Sequence, residues 1–179
     1  MKRILQYLFE HKTLDRHAAK EVMLNMAKGA YNDTEIAAFV TVYLMRSITI
    51  DELQGFRDGL LDLCVPVDLD GHAVMDIVGT GGDGKNTFNI STLAWFIGAG
   101  AGQKVAKHGN YGASTISGAS NVMESLGYRF KNSSNDLKRE VEEAGICFMH
   151  APLFHPALKT VASVRKALGL RSFFNMLGP

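Results

Sequence analysis

Glycines at positions 79, 81, 82 and 84 directly follow a short apolar run that ends at Val78. Glycine has no Cβ and tolerates positive φ, so such a turn can bring backbone N–H groups close to an anion. Thr87, Ser91 and Thr92 then place hydroxyl donors where an apolar helix is expected to begin. Helix N-termini bind anions through their unsatisfied amides. This segment therefore predicts a phosphate-binding loop.

Two common phosphate-binding motifs fit this segment only in part. Residues 79–84 have the Gly-x-Gly-x-x-Gly spacing of the dinucleotide fingerprint, which needs an acidic residue about 20 positions further on. That region instead contains Lys107 and His108. Residues 79–85 match the start of the nucleoside-triphosphate loop, but Asn86 stands where that loop needs a Ser or Thr for its metal ion. Neither kind of nucleotide is favoured.

A second polar segment, residues 104–120, runs from the next expected strand into a loop. It contains the cations Lys107 and His108, the amide of Asn110, several hydroxyl side chains and three glycines. A loop of this composition can surround an extended polyanion. We predict that it forms the opposite side of the same site, because both loops follow strands of one sheet and such loops converge at the carboxyl ends of parallel strands.

Four ordered motifs resemble the anthranilate phosphoribosyltransferase family. They are Gly-Thr-Gly-Gly-Asp at 79–83, Asn-Ile-Ser-Thr at 89–92, Lys-His-Gly-Asn at 107–110 and His-Pro-Ala-Leu-Lys…Val-Arg-Lys at 155–166. The closing segment 173–179 fits the same pattern, so the resemblance covers essentially the whole chain. It implies transfer of the phosphoribosyl group from 5-phosphoribosyl-1-diphosphate to the amine of anthranilate, with release of diphosphate, in tryptophan biosynthesis.

The resemblance also implies which residues contact each substrate. The residues expected to bind the phosphoribosyl donor are Gly79, Gly82, Asp83, Thr87, Asn89, Ile90, Ser91, Thr92, Lys107, His108, Gly109, Asn110, Tyr111, Gly112, Ala113, Ser114, Thr115 and Ala119. The residues expected to bind anthranilate are Gly79, Asn110, His155 and Arg165, with Arg165 pairing with its carboxylate. Ser91 is the expected ligand of Mg²⁺. Lys107 and His108 are the expected catalytic residues, and Lys107 would neutralise phosphate as charge develops.

The chain departs from the commonest family pattern at three loop positions. Tyr111 stands where an arginine is frequent, Ala119 where a serine is expected on the donor, and Asn121 where an aspartate is usual. Ser117 and Ser120 are the candidates to replace the hydroxyl that is missing at position 119.

Two other functions are compatible with a glycine-rich phosphate loop. A pyrimidine nucleoside phosphorylase shares the expected architecture, but the motifs at 89–92 and 155–159 favour the transferase. A non-enzymatic relative that binds nucleic acid would need a clustered basic surface, whereas the net charge is only +1. We therefore expect small-molecule substrates, and no nucleic acid or membrane as partner.

Composition indicates a globular protein of a reducing compartment. With 46% apolar residues in 179, the chain can form a substantial core. Cys64 and Cys147 are too few and too far apart for a disulfide scaffold or a zinc site, so we interpret them as buried thiols. The apolar run at 93–102 is too short to span a bilayer. We expect a cytoplasmic location.

The hydrophobic pattern predicts an α/β protein with a small helical bundle domain and a larger, mainly parallel α/β domain. Residues 1–69 show helical periodicity, with Thr49 and Glu52 forming a capping box. Residues 70–154 alternate strands with helices. Helices in 155–179 are expected to join the helical domain.

Short apolar runs predict three strands of the sheet, at 74–78, 103–106 and 146–149. Typical sheets hold roughly five or six strands, so we expect a truncated chain that lacks the C-terminal half of the α/β domain. In the family that half carries the Asp-Glu pair for a second magnesium ion. Helical apolar stripes near the N-terminus exceed what a small bundle buries, which favours a homodimer through the helical domain.

Overall fold

The structure is a computed structural model and describes residues 1–79, 87–112 and 117–178. The chain folds into two units, one formed by Met1–Cys64 with His155–Gly178 and the other by residues 65–154. Several residues expected in the site lie outside the described ranges, namely Gly82, Asp83, Ala113, Ser114 and Thr115.

In chain order the helices and strands are α1 (Lys2–Phe9), α2 (Arg16–Ala27), α3 (Asp33–Met45), α4 (Ile50–Leu63), β1 (Met75–Asp76), α5 (Ile90–Gly100), β2 (Val105–Gly109), α6 (Ala119–Ser125), α7 (Ser134–Ala144), β3 (Ile146–His150), α8 (Ala151–Phe154) and α9 (Lys159–Leu168). Short 3-10 turns at Pro156–Leu158 and Phe173–Asn175 flank α9.

Reciprocal side-chain caps mark the starts of α3 and α4 in the first unit. Asn32 and Glu35 form a reciprocal capping box at the start of α3, with each side chain accepting from the other residue's backbone N–H. Thr49 and Glu52 do the same at α4, as predicted. Each box satisfies two backbone donors that a helix start leaves without intrahelical partners.

Aromatic rings fill the centre of the helical unit. Phe39, Tyr43, Phe56 and Phe173 are all buried, and neighbouring ring centroids lie 4.7–6.3 Å apart. Phe173 comes from the 3-10 turn after α9, so the last residues of the chain complete the core of the N-terminal helices. Burial of such rings is a main source of stability in a small unit.

The α/β unit contains a parallel sheet with strand order β1-β2-β3. The predicted class of fold, helices followed by a parallel α/β arrangement, is confirmed. The second strand begins and ends later than its expected range 103–106, because its ladder with β3 continues as far as Gly109 opposite His150. Lys107 and His108 consequently lie within a strand and not after it.

The boundary between the units lies at residues 64 and 65, and not at 69 and 70 as expected. Val65, Val67 and Leu69 pack on the apolar cluster that contains Leu137 and Val141 of α7. Because this segment buries its apolar side chains against the sheet unit, it belongs to that unit.

Candidate functional site

The start of α5 is held by the Asn-Ile-Ser-Thr motif. Asn89 Oδ1 accepts the N–H of Thr92 at 3.3 Å and its hydroxyl at 2.7 Å. Thr92 is buried, so its hydroxyl is used in the hydrogen bond to Asn89 at the helix start. Ser91 and Ile90 stand in the first turn, where backbone N–H groups have no intrahelical acceptor. This end of the helix can receive an anion. Thr87 is exposed just before it.

Gly79 lies directly against the first turn of α5. A Cβ placed on Gly79 would be 2.8 Å from Ser91 Oγ, closer than side chains approach. A side chain at position 79 would therefore force the Ser91 hydroxyl to move. This contact brings together two residues that the sequence predicted to share a site.

Lys107 is a buried residue of β2. Its side chain is only 1% exposed, and Nζ donates to the carbonyl of Ile77 at 2.6 Å. Burial lowers the pKa of Lys107, with a smaller opposing effect of Asp76. The sequence placed this residue in a loop after the strand, whereas it is a buried residue within β2. His108, the next residue, is partly buried near the end of β2.

The side chain of Asn121 makes hydrogen bonds that the sequence motifs did not reveal. Asn121 Oδ1 accepts from the N–H groups of Gly112 at 3.1 Å and Gly118 at 2.9 Å. A Cβ on Gly118 would come within 2.6 Å of three backbone atoms of residues 110–112. One side-chain amide thus links the backbones of Gly112 and Gly118. Asn at the start of a helix was the available signal, since Asx side chains often bond nearby N–H groups.

The departures at 111 and 119 are accommodated by packing. Tyr111 donates its hydroxyl to Glu124 at 2.7 Å, and its backbone N–H donates to Asn110 Oδ1 at 2.8 Å. Ala119 lies against Gly109, with its Cβ 3.0 Å from where a Cβ of that glycine would be.

The two candidates to replace the missing hydroxyl differ in exposure. Ser120 is fully buried and bonded to His150, so it is not available to the donor. Ser117 is exposed.

His155 and Arg165 belong to the helical unit, whereas Gly79 and Asn110 belong to the α/β unit. Burial lowers the pKa of both His155 and Arg165. The Arg165 guanidinium lies 5.1 Å from the centre of the Phe174 ring, and within residues 1–79, 87–112 and 117–178 it forms no ion pair with a carboxylate. A half-buried cation of this kind suits an anionic ligand.

Acidic and thiol clusters are absent from the described part of the chain: no three His, Cys, Asp or Glu side chains there could hold a metal ion. Nor does any helix in the described ranges combine the length and apolar character needed to cross a membrane.

Family models match both units of the chain. Residues 2–64 match the helical bundle domain of a glycosyl transferase family, and residues 71–179 match its a/b domain. The chain belongs to this glycosyl transferase family. The family resemblance inferred from the four motifs is thereby confirmed.

Relatives in the glycosyl transferase family share well over half of the residues of this chain. It is 59% identical to the anthranilate phosphoribosyltransferase of Flavobacterium psychrophilum and 58% identical to that of Christiangramia forsetii. Each match covers 100% of this chain but 54% of the relative. The chain spans about half the length of the curated relatives it matches.

Solved structures of the glycosyl transferase family have the same arrangement of elements. Anthranilate phosphoribosyltransferase from Thermus thermophilus superimposes with a TM-score of 0.87 at 34% identity, covering 98% of this chain and 53% of that chain. The Saccharomyces cerevisiae enzyme in complex with PRPP and Mg has a TM-score of 0.80 at 32% identity, covering 92% and 48%. The same yeast enzyme in complex with 4-fluoroanthranilate has a TM-score of 0.77 at 28% identity, covering 93% and 48%.

Proposed function

We propose that this chain is part of an enzyme that transfers the phosphoribosyl group of 5-phosphoribosyl-1-diphosphate to the amine of anthranilate, giving N-(5-phosphoribosyl)anthranilate and diphosphate in tryptophan biosynthesis. The contact of Gly79 with Ser91 at the open N-terminus of α5 carries this proposal, because it provides a built anion site at the end of a strand. The relatives named above support the choice of substrates.

The reaction places its main demand on the leaving group. The arylamine is a neutral nucleophile, while the sugar carbon gains positive character and the diphosphate gains negative charge as the bond breaks. Fixed donors aimed at the diphosphate stabilise that charge. We assign this role to the first turn of α5 and to the glycine-rich segment that begins at Gly79. We assign Lys107 a supporting role, because its buried Nζ donates to the Ile77 carbonyl and so fixes the backbone two residues before Gly79.

The donor set at the start of α5 fits Mg²⁺. Ser91 offers a hydroxyl oxygen, a hard ligand of the kind Mg²⁺ accepts, and Mg²⁺ is commonly held by few protein groups together with substrate phosphates. When bound, the ion neutralises negative charge on the diphosphate. The protein's own contribution is to orient the Ser91 hydroxyl, which the Asn89 cap achieves by fixing the first turn.

Anthranilate requires a cation for its carboxylate and a fixed approach for its amine. We assign the carboxylate to Arg165, whose guanidinium is half-buried against Phe174. A bidentate Arg–carboxylate pair is directional and strengthened by burial. Asn110, Gly79 and His155 are assigned to the same substrate on the strength of the family motifs.

We further propose a cytoplasmic homodimer that associates through the helical unit. Large apolar side chains are exposed on that unit at Phe9, Met45, Ile50 and Leu61. A surface of exposed apolar groups is typical of an association site.

A chimera tests the proposed function. This chain would be joined to the second half of the Flavobacterium psychrophilum relative, and loss of anthranilate fluorescence would be followed with 5-phosphoribosyl-1-diphosphate and Mg²⁺. We expect turnover that depends on both substrates. Phosphorolysis of uridine or thymidine without anthranilate turnover would overturn the assignment in favour of a nucleoside phosphorylase.

Arg165→Ala in this chimera should raise the KM for anthranilate by about 10- to 100-fold, because a charged hydrogen-bonded partner of the carboxylate is lost. The KM for the phosphoribosyl donor should change little. Lys166→Ala, which removes the neighbouring exposed cation of α9, is the matched control. Equal effects of Arg165→Ala on both substrates would contradict the assigned role.

A further inference from the structure

His150 ends β3 and lies beside Gly109, its partner across the ladder from β2. Its side chain is only 6% exposed, and Nδ1 lies 2.8 Å from the hydroxyl oxygen of Ser120. Ser120 is fully buried in the first turn of α6. His150 is not among the expected site residues, and Ser120 was considered only as a replacement for the hydroxyl missing at position 119. The two lie 30 positions apart in the sequence.

Aromatic rings fix the orientation of the imidazole. Phe130 stacks on it with ring centroids 4.0 Å apart and an interplanar angle of 8°. Tyr111 meets it edge-on, with centroids 5.0 Å apart. The stack leaves the ring little freedom to turn, so Nδ1 stays directed at Ser120. Burial lowers the pKa of His150, outweighing an opposing effect of Glu124, and so favours the neutral ring.

Ser120 connects the imidazole to the Lys-His-Gly-Asn motif. Its backbone N–H donates to the carbonyl oxygen of Asn110 at 3.1 Å, while its side chain is bonded to His150. The next residue, Asn121, binds the N–H groups of Gly112 and Gly118. Two consecutive residues of α6 therefore fix the backbone on which Asn110 stands.

A Ser–His pair can also form a nucleophile with its base, but not in this position. Such a nucleophile must reach the substrate. Ser120 has no exposed surface, and its neighbours on the His150 side are the rings of Phe130 and Tyr111. The Ser120 hydroxyl therefore has a structural role and does not act as a nucleophile.

We propose that Ser120 and His150 are positioning residues, whose side-chain hydrogen bond holds the backbone of Asn110 in the conformation that receives the phosphoribosyl donor. This inference rests on the proposed function for its kinetic consequence. Its structural part, the immobilisation of residues 107–112, stands independently.

The energetics of buried hydrogen bonds give this pair a characteristic response to substitution. Removing one partner leaves the other buried and unpaired, whereas replacing both with apolar groups can be nearly neutral. Ser120→Ala leaves the imidazole nitrogen without its partner. His150→Phe keeps a ring for Phe130 to stack on but leaves the Ser120 hydroxyl without one. The double substitution removes both polar groups.

The kinetic test uses the chimera described above. Each single substitution should raise the KM for 5-phosphoribosyl-1-diphosphate by about tenfold, a cost in the range for one unpaired buried group. The double substitution should return it to within about threefold of the parent. Ser125→Ala, which removes an exposed hydroxyl of the same helix, is the control and should leave the KM unchanged. A double variant as impaired as the two singles combined would overturn the proposal.

A second readout separates this proposal from the proposed function. Amide hydrogen exchange is measured on the chain itself, and both single substitutions should speed exchange of peptides covering 107–112 while the double substitution restores protection. If the parent chimera fails to use anthranilate but exchange behaves as stated, only the proposed function is lost. If exchange at 107–112 is unchanged in the single variants, the positioning role is wrong whatever the activity.

Discussion

At the scale of single residues, Glu52 shows how one buried carboxylate organises the helical unit. Its oxygens accept from Arg46 at 2.5 Å, from the Thr49 N–H at 2.9 Å and from the Leu14 N–H at 3.0 Å. The Tyr43 hydroxyl donates to it at 3.1 Å. Burial alone would raise the pKa of Glu52, but these hydrogen bonds, led by Arg46, lower it to about 2. The ionised form is therefore favoured in the folded state.

Glu52→Gln should make the stability of the helical unit less dependent on pH in the acidic range. The folded pKa of Glu52 lies below the unfolded value of about 4.3, so its contribution is complete above that pH and is lost as the pH falls towards 2. We expect the variant to unfold roughly 5 to 10 °C below the parent at pH 7, because a buried charged partner is lost. The difference in unfolding temperature between the variant and the parent should shrink as the pH falls from about 5 to 2. Far-UV circular dichroism during heating measures both unfolding temperatures.

Glu10→Gln is the matched control for this prediction. Glu10 pairs with Lys12 at 2.5 Å, but both side chains are largely exposed. Exposed pairs contribute little because water and salt screen them. If the difference in unfolding temperature between Glu52→Gln and the parent stays constant with pH, the Glu52 carboxylate does not titrate as stated.

At the scale of elements, α2 and α4 approach each other almost backbone to backbone. A Cβ on Gly55 would lie 2.3 Å from the Arg16 carbonyl oxygen and 2.7 Å from the Ala19 Cβ. Backbone atoms cannot give way as a flexible side chain can. The absence of a side chain at 55 therefore sets the spacing of the two helices.

Gly55→Ala should destabilise the helical unit by about 1–3 kcal/mol, the usual cost of overpacking. The control is Gly100→Ala in α5, where an added Cβ meets no atom within 4 Å. That substitution should be neutral or stabilise the chain by up to about 1 kcal/mol, since alanine loses less backbone entropy than glycine. Urea unfolding measures both, and similar behaviour of the two variants would contradict the close approach of α2 and α4.

The elements also show what could be predicted from the sequence. The cap formed by Thr49 and Glu52 is local, as is the helix stop at Gly145, which adopts a φ of 72°. Both could be read from neighbouring residues. The end of β2 and the burial of Lys107 depend on pairing with β3 and on the Ile77 carbonyl, which are remote in sequence.

In the candidate site, too, local features could be predicted from the sequence and long-range contacts could not. The hydroxyl and glycine contacts of Ser91 and Gly79 follow a recognisable motif. The contact of Ser120 with His150 does not follow a motif, because the sequence around each residue contains no signal for the other. Tertiary contacts of this kind must be seen in the folded chain.

At the scale of the whole molecule, α5 is apolar on opposite faces. Trp95 is buried against the sheet, whereas Ile90, Leu93 and Ile97 are 49–62% exposed and lie three and four positions apart. Residues at that spacing form one stripe along a helix. Helices that are apolar on all sides are normally buried in larger structures. The chain spans about half the length of the curated relatives it matches.

The stripe on α5 should make this chain bind a hydrophobic dye. We expect the double variant Leu93→Lys/Ile97→Lys to reduce 8-anilinonaphthalene-1-sulfonate fluorescence several-fold, because charge on adjacent turns removes the contiguous apolar surface. Leu126→Lys is the control, since Leu126 is equally exposed but lies at the end of α6. The chimera should bind less dye than the chain alone. If the chimera binds as much dye, or if Leu126→Lys matches the double variant, then the α5 stripe is an ordinary part of the surface.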